Sequence, residues 1–363
     1  MDDLDQAPQL YKATNYWANY ERRLVPYLES EGLRDFRTPR PTAGSHVLTA
    51  FGATDPIPRS SGVRRLDQNR IARNRLTERI PGFRAFASKV ADRAEAWMVP
   101  GEADEDSRRR LNYEFARQQG IEAGAKPLDE ISFSMAGNPE DAFEIDGRWY
   151  TRFMLRYYLT YAYAGRFVDY DDVKVYAELG SGMGHQAEIL ATLHPQATIL
   201  LFDLPPQLYV CSQYLTTLFG DRVVPYRETR ALREPGDLKP AELEPGKIHL
   251  LGSWSFEILR DLPVDLFWNG ASFQEMEPNV VANYLDVVDG CAEHVFIEAV
   301  MDGKERAAKA GQQGVLEPTT LRHYEQGLPS FDRVDLRPTV LPDATVKGGR
   351  RKYSDSFWHR RQV

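Results

Sequence analysis

The most constraining feature of this sequence is a glycine-rich segment that directly follows a β-rich run. The segment reads Glu178-Leu179-Gly180-Ser181-Gly182-Met183-Gly184, and the run before it is VKVYAEL at 173–179. Helical patterning follows from Met183 to Leu193. Glycines in a strand-to-helix turn let the backbone approach a ligand without side-chain collision. The segment therefore predicts a small-molecule site at the carboxyl end of a strand in an α/β sheet.

Strand-like and helical segments alternate after this turn. Further β-rich runs lie at 198–204, 247–252, 265–271 and 294–300, with helical patterns at 207–219 and 278–289. Strands that alternate with helices are typical of a parallel, doubly wound sheet. Two last β-rich runs, 331–340 and 352–360, flank Lys347-Gly348-Gly349 and predict a closing antiparallel hairpin.

The residues before the sheet have a different character. Thr14 or Asn15 is a candidate cap for a helix that carries Tyr16, Trp17 and Tyr20 on one face, with a kink expected at Pro26. Residues 38–59 are typical of a loop, and helical patterns follow at 64–98, 104–119 and 152–165. We expect a mostly helical N-terminal region, 1–130, that is either a lid or a dimerisation surface, and a second domain at 131–363.

Charge and composition exclude several classes of protein. The net charge of the 363 residues is −8, although the stretch from Arg34 to Arg93 contains 13 Lys and Arg against 5 Asp and Glu. An acidic total makes nucleic acid an unlikely partner. The apolar runs are too short to span a membrane, the first residues do not resemble a secretory signal, and two cysteines make no disulfide framework. We therefore expect a cytoplasmic protein without a membrane partner.

The spacing of the glycines distinguishes two classes of nucleotide cofactor. A dinucleotide fingerprint requires a glycine where this chain has His185. The pattern here is E-x-G-x-G-x-G, which resembles motif I of the class I S-adenosyl-L-methionine (SAM) methyltransferases. Asp203 lies 19 residues after Gly184, at the end of the second strand. A carboxylate there is expected to accept both ribose hydroxyls and to repel the 2′-phosphate of NADP.

The predicted cofactor site extends to the ends of the neighbouring strands. Ser253 is expected to hydrogen-bond the adenine and Trp254 to stack on it, and a core position is an equal alternative for Trp254. The predicted cofactor-binding residues are Glu178, Gly180, Gly182, Met183, Gly184, Asp203, Leu204, Ser253, Trp254 and Asn269. We predict no metal site, because HExxH is absent and Cys211 and Cys291 are far apart in sequence.

A polar cluster follows the fourth strand, where an acceptor would meet the transferred methyl group. Glu275 is the first candidate for the base that takes the acceptor's proton, with a solvated helix cap before Pro278 as the alternative. His323 is the second candidate and His185 the third, although a lone histidine in the position of His323 is more often a surface residue than a base. The predicted substrate-binding residues are Ser272, Gln274, Tyr150, Tyr157 and Tyr324.

Three segments together resemble one family. YAELGSGMGHQAEIL (176–190), LLFDLPPQLYVCSQYL (200–215) and DLFWNGASFQEMEPNVVANYL (265–285) are similar to the bacterial sugar O-methyltransferase family, as is GNPEDAFEIDGRWYT (137–151). The resemblance covers about 137–330 and implies a Rossmann-like class I methyltransferase sheet with SAM as the methyl donor. The family is associated with antibiotic deoxysugars and surface polysaccharides, and the resemblance does not itself specify the acceptor.

Several functions are compatible with these residues. The leading hypothesis is methylation of a sugar hydroxyl by a SAM-dependent enzyme. N-methylation of an amino or guanidino group, held by Glu275 and Glu277, is the alternative. Modification of nucleic acid through the basic stretch 34–93 is opposed by the net charge and by the lack of interleaved aromatic residues. A non-catalytic scaffold is disfavoured because the glycines and Asp203 are intact.

Overall fold

A mixed sheet with helices on both faces forms the body of the protein. The computed structural model describes residues 1–38, 105–232, 238–340 and 353–362. The strands are β1 (Phe143–Ile145), β2 (Arg148–Tyr150), β3 (Val175–Leu179), β4 (Thr198–Asp203), β5 (Val223–Val224), β6 (Ile248–Gly252), β7 (Val264–Gly270), β8 (Ala292–Val300), β9 (Phe331–Pro338) and β10 (Tyr353–Arg360). All of these except the β1–β2 hairpin pair into one sheet.

The order of the strands creates a crevice at the centre of the sheet. That order is β5-β6-β4-β3-β7-β8-β10-β9, and the strands from β5 to β8 are parallel. The chain moves outward from β3 through β4 to the edge strand β5, forms β6 between β4 and β5, and then crosses to the other side of β3 as β7. The strands that follow β3 therefore lie on both of its sides, with β4 on one side and β7 on the other. Ligands of open α/β sheets bind at such a switch point. The expected α/β fold class, a Rossmann-like and mostly parallel sheet with a helical N-terminal region, is confirmed.

Helices cover both faces of the sheet and make up most of the described N-terminal region. They are α1 (Asp2–Gln6), α2 (Asn15–Glu31), α3 (Glu105–Ala123), α4 (Arg152–Ala164), α5 (His185–Leu193), α6 (Pro205–Phe219), α7 (Tyr226–Leu232), α8 (Pro278–Cys291) and α9 (Leu321–Gly327). Within the described ranges, none of them is long and apolar enough to cross a membrane.

Successive residues of the central strands point into two different cores. Tyr176 belongs to the core beneath α4, α5 and α6, whereas its neighbour Ala177 belongs to the core beneath α8. Side chains alternate between the faces of a strand, so a sheet covered on both faces needs near-continuous apolar strands. Trp268 of β7 stacks on Phe296 of β8 with ring centroids 3.8 Å apart, and this pair joins the two strands on one face.

The strands predicted after residue 170 are all present, with bounds that shift by a few residues. The β1–β2 hairpin and the two-residue β5 were not predicted, because strands this short carry almost no periodic signal. Thr14 does precede α2, but its side chain does not cap the helix. Pro26 lies inside α2 as expected. The predicted loop at 38–59, the helix at 64–98 and the turn at 347–349 lie wholly or almost wholly outside the described residues.

The first residues of the chain lie against the carboxyl end of the sheet. The Ser253 hydroxyl donates to the Tyr11 carbonyl over 2.8 Å, and the Tyr226 hydroxyl bonds to Asp3. The Asn15 amide donates to the carbonyls of Gln312 and Gly314. These contacts place α2 beside the crevice, although Tyr11 and Ser253 are 242 residues apart in sequence.

Candidate active site

A cavity of about 410 Å³ opens at the carboxyl ends of β3, β4, β6 and β7. Ligand pockets in proteins usually have volumes of about 300–1,000 Å³. The predicted residues that line it are Glu178, Gly180, Gly182, Met183, Asp203, Leu204, Ser253, Ser272, Glu275 and Tyr157, together with His185. The structure thus brings most of the predicted cofactor residues and the first candidate base into one cavity.

The glycine turn needs its glycines for two different physical reasons. Gly180 and Gly184 have φ angles of 79° and 90°, in the region that side chains disfavour. A Cβ on Gly180 would lie less than 3.0 Å from the Ser272 hydroxyl. A Cβ on Gly184 would lie 2.8 Å from Leu215 and 3.1 Å from Cys211. Gly180 therefore permits a close approach of two loops, whereas Gly184 lies outside the cavity and permits α5 to pack on α6.

Asp203 connects the second strand to this turn. Its Oδ2 accepts the Gly182 N–H over 2.7 Å, and its Oδ1 accepts the Leu204 N–H over 2.7 Å. Burial raises the pKa of Asp203 from 3.8 to about 7, although both N–H donors favour the charged form. Each carboxylate oxygen has two lone pairs, so both oxygens keep capacity for a ligand's hydroxyl groups.

Glu178 is a second buried carboxyl group in the same wall. It lies at the end of β3 and accepts the Tyr176 hydroxyl over 3.1 Å. Burial raises the pKa of Glu178 from 4.5 to about 8, with a further contribution from the charge of Asp203. Two carboxyl groups with raised pKa values in one cavity favour a ligand that brings positive charge or hydrogen-bond donors.

The loop after β7 is locked against the glycine turn by Asn269. Its Nδ2 donates to the Leu179 carbonyl over 2.9 Å and to the Ser272 hydroxyl over 2.7 Å. Its Oδ1 accepts the N–H groups of Ser272 and Phe273. Every hydrogen-bonding atom of this amide is therefore used inside the protein. Asn269 does not line the cavity, so it positions Ser272 instead of contacting a cofactor as predicted.

Gln274 has a similar internal role. Its Oε1 accepts the Val300 N–H over 2.6 Å, and its Nε2 donates to the Ala271 carbonyl and the Tyr353 hydroxyl. The side chain is fully buried and lies outside the cavity lining, contrary to its predicted role in substrate binding. Ala271 itself has a φ of 64°, a strained conformation of the kind that clusters at functional sites.

Glu275 faces the cavity as half of a buried ion pair. Its Oε1 bonds to the Lys304 ammonium group, and its carbonyl accepts the Thr14 hydroxyl over 2.8 Å. Burial raises the pKa of Glu275, while Lys304 opposes the rise by stabilising the carboxylate. The Lys304 Nζ also lies 3.8 Å from the centre of the Tyr16 ring. Glu275 therefore links the β7 loop to both β8 and α2.

The opposite wall is aromatic and comes from α4. Tyr157 stacks on the His185 ring with centroids 5.1 Å apart, and Phe153 meets the same ring edge-on at 4.9 Å. Burial lowers the pKa of His185 well below its ordinary value, so its imidazole is neutral near pH 7. Arg156 pairs with Glu298 over 2.5 Å and lies 5.5 Å from the centre of the Tyr353 ring.

Two side chains of the cavity carry buried polar atoms that lack a hydrogen-bond partner within the described residues. They are His185, at Nε2, and Gln207, at both atoms of its amide. Leaving such a group unpaired costs on the order of 1–3 kcal/mol. Their concentration at one cavity indicates that a bound ligand supplies the missing partners.

The structure places Trp254 and Tyr150 in the core instead of the cavity. A Cβ on Gly252 would lie less than 3.0 Å from the Trp254 ring, which meets Tyr226 edge-on at 5.7 Å. Tyr150 is fully buried and packs on Tyr113 with centroids 4.8 Å apart. The large apolar area of Trp254 and Tyr150 is used for packing, so neither side chain contacts a ligand as predicted.

Tyr324 and His323 are also outside the cavity. Tyr324 is fully buried against Phe273, with ring centroids 6.1 Å apart. His323 Nδ1 accepts the Thr320 N–H over 3.0 Å at the start of α9. A helix cap accounts for this histidine, and it is not positioned to take a proton from an acceptor in the cavity.

The sequence reasoning missed several residues that line the cavity. They are Tyr11, Thr14, Tyr16, Trp17, Tyr20, Arg156, Gln207, Lys304 and Tyr353, among others. Lys304 follows β8 by four residues, so extending the argument about strand ends to β8 would have found it. The residues of α2 carried no such signal, since no local pattern relates residue 16 to residue 275.

The described residues contain no group of three or more His, Cys, Asp or Glu side chains arranged to hold a metal ion. No family model and no curated protein matches this chain.

Solved methyltransferase structures align with the sheet at low similarity. The magnesium protoporphyrin IX methyltransferase of Synechocystis PCC 6803, with bound S-adenosylhomocysteine (SAH), is 9% identical with a TM-score of 0.39, over 70% of this chain and 100% of that one. An O-methyltransferase of neocarzinostatin biosynthesis is 12% identical with a TM-score of 0.36, over 57% and 55%. Human N-acetylserotonin methyltransferase is 14% identical with a TM-score of 0.32, over 57% and 56%. This chain thus spans only about half the length of the last two, and similarity this low carries no argument about activity.

Replacing Gly180 by alanine tests the close approach of the two loops. We expect Gly180→Ala to lower the free energy of unfolding by about 1–3 kcal/mol, because it combines a left-handed backbone with a collision against Ser272. Urea denaturation measures the loss. Gly290→Ala is the matched control, since Gly290 lies near the end of α8 with open space around it, and an equal loss in both variants would contradict this explanation.

Replacing Glu178 by glutamine tests the buried carboxyl group. A carboxyl whose pKa is higher in the folded chain contributes stability at low pH, and this contribution is lost as pH rises from about 4.5 to about 8. We expect Glu178→Gln to gain stability relative to the wild type over that range, by on the order of a few kcal/mol at pH 8. Thermal unfolding at pH 5, 7 and 8.5 measures it. The exposed Glu144→Gln variant should show the same dependence of stability on pH as the wild type. If Glu178→Gln shows that dependence too, the raised pKa of Glu178 is refuted.

Proposed function

We propose that this chain is a SAM-dependent methyltransferase that acts on a small-molecule acceptor. The observation that carries the proposal is the cavity at the switch point of the sheet, where Asp203 and the glycine turn meet two side chains with unpaired buried polar atoms, His185 and Gln207. Ligands of this fold class bind at that point.

The residues present fit SAM. Asp203 has acceptor capacity for two ribose hydroxyls, and Leu204 and Ser253 lie beside it where an adenine would extend. The turn from Gly180 to Gly182 lets backbone N–H groups approach a carboxylate, and Ser181 lines the cavity between the two glycines. When bound, SAM supplies a methyl group on a positively charged sulfur. The carboxyl groups of Glu178, Asp203 and Glu275 in the cavity wall suit such a cation.

The remaining residues orient the acceptor and handle its proton. An acceptor hydroxyl must approach the methyl carbon in line, and positioning contributes a large part of such a rate enhancement. We infer that Ser272 and Tyr157 hold the acceptor and that the Glu275 carboxylate accepts the hydroxyl proton. Lys304 favours the ionised form of Glu275, while burial raises its pKa and makes this carboxylate more basic than an exposed one.

We propose a sugar hydroxyl as the acceptor. Tyr157, Tyr353, Arg156 and Lys304 present hydrogen-bonding groups beside aromatic faces at the acceptor end of the cavity. A sugar ring offers both the hydroxyl groups and the apolar face that such a surface binds. N-methylation of an amino or guanidino group is the second candidate, with Glu275 holding the cation. Glu277 does not support it, because its Oε1 accepts the Leu316 N–H outside the cavity.

Binding of SAH tests the cofactor site directly. We expect the wild-type chain to bind SAH, and Asp203→Asn to weaken binding about tenfold or more, because a carboxylate is replaced by an amide with a single acceptor oxygen. Titration calorimetry at pH 6, 7 and 8 measures it. Wild-type affinity should fall as pH drops below about 7, where Asp203 becomes protonated, and this pH dependence should be weaker in the variant.

The exposed Asp261→Ala is the control and should bind SAH as the wild type does. A wild-type chain that fails to bind SAH refutes the proposed function. Unchanged affinity in a folded Asp203→Asn variant removes Asp203 from the cofactor site.

Glu275→Gln tests the base. Methyl transfer from labelled SAM is measured against a panel of methyl glycosides, amino sugars and guanidino compounds. We expect turnover of the accepted compound to fall by about 10²–10⁴-fold in Glu275→Gln while SAH affinity stays within about threefold. Glu144→Gln, on the exposed face of β1, should keep full turnover. A fully active Glu275→Gln enzyme would exclude Glu275 as the base.

A further inference from the structure

The start of α2 and the residues before it form one wall of the proposed active site. Tyr16, Trp17 and Tyr20 all line the cavity, and all lie outside the part of the chain that carries the glycine motif. The Thr14 hydroxyl bonds to the Glu275 carbonyl and holds the first turn of α2 against the β7 loop. This wall is therefore held in place by the same loop that carries the candidate base.

These three side chains form a compact aromatic cluster. The ring centroids of Tyr16 and Tyr20 are 5.0 Å apart, those of Trp17 and Tyr20 are 5.3 Å apart, and those of Tyr16 and Trp17 are 6.0 Å apart. Such a cluster presents electron-rich ring faces, which attract cations when they are shielded from water.

Cations of the protein already lie against this cluster. The Lys304 ammonium group is 3.8 Å from the centre of the Tyr16 ring, and the Arg23 guanidinium carbon is 5.3 Å from that of Tyr20. The rings are thus used as cation-binding surfaces within the chain itself. The third ring, Trp17, also lines the cavity and has the indole face that binds cations best among aromatic side chains.

Negative charges surround the cluster and reinforce this preference. Glu275 lies next to Tyr16 and Trp17, both of which stabilise its carboxylate. Glu21, one residue after Tyr20, is half-buried, and its charge contributes to the raised pKa of Asp203, while partial burial raises the pKa of Glu21 itself to about 7. The cluster therefore lines the same cavity as the candidate base Glu275, the predicted ribose carboxylate of Asp203 and the glycine turn.

We propose that Trp17, with Tyr16 and Tyr20, determines selectivity for the positively charged methyl donor over its neutral product. SAM carries a sulfonium and SAH a thioether, so the two ligands differ at this position by one charge and one methyl group. Cation–π attraction to Trp17 strengthens binding of the donor and is lost in the product, which favours product release. The inference rests on the proposed function, since it requires that SAM and SAH bind in this cavity.

The affinities of SAM and SAH, measured by calorimetry for wild type and Trp17 variants, test this inference without an acceptor. We expect Trp17→Leu to weaken the binding of SAM about tenfold and that of SAH no more than about twofold, because leucine keeps an apolar wall but removes the π face. Trp17→Phe keeps an aromatic face and should retain most of the preference for SAM. Sinefungin, which carries an ammonium group near the sulfonium position, should follow SAM in all variants.

Trp149→Leu is the matched control, because Trp149 is exposed on β2 and does not line the cavity. Both affinities should be unchanged in it. An equal loss of affinity for SAM and SAH in Trp17→Leu would show that Trp17 contributes only apolar contact. Unchanged affinities would show that Trp17 does not contact the ligand. Either result overturns the inference while the proposed function stands.

If Trp17→Leu does not fold, the comparison of Tyr20→Leu with Tyr20→Phe decides in the same way. A wild-type chain that binds neither ligand refutes the proposed function and this inference together.

Discussion

The contact between the glycine turn and the loop after β7 is the constraint on which the site depends. Gly180 can lie against Ser272 only because it has no side chain, and the Asn269 amide joins both loops with four hydrogen bonds. This contact fixes the distance between the turn that would hold the cofactor and the loop that carries Glu275. Under the function proposed above, methyl transfer needs the donor and acceptor sides at a set separation, and this junction provides it.

Buried carboxyl groups are the second constraint. Glu178, Asp203 and Glu275 all have pKa values raised by burial. Their burial therefore makes the folded chain less stable than apolar side chains at these positions would. The fold sustains this cost through its large two-faced core. A ligand with donor groups and positive charge would offset it, which is the usual relation between stability and function at a binding site.

Much of the sheet and of the cofactor side was predictable because the information is local. A parallel strand buried on both faces needs a short apolar run, and a turn that approaches a ligand needs glycine at set positions. Asp203 could be located because the second strand ends there. Trp254 and Tyr150 could not be assigned correctly, because aromatic residues serve packing and ligand contact equally well and only the direction of the side chain separates the two.

By itself, the sequence determined the fold class, the strand that ends in the glycine turn and the acidic residue that follows the next strand, since each depends on neighbouring residues. Only the tertiary structure decided which side chains share the cavity. Trp17 and Lys304 meet Glu275 because α2 and the end of β8 converge on the β7 loop. The tertiary structure also showed that Asn269 and Gln274 stabilise the protein internally, because Asn269 donates to the distant Leu179 carbonyl and Gln274 accepts the Val300 N–H. Contacts between distant segments leave no periodic trace in either segment, which is the physical reason that they had to be seen in three dimensions.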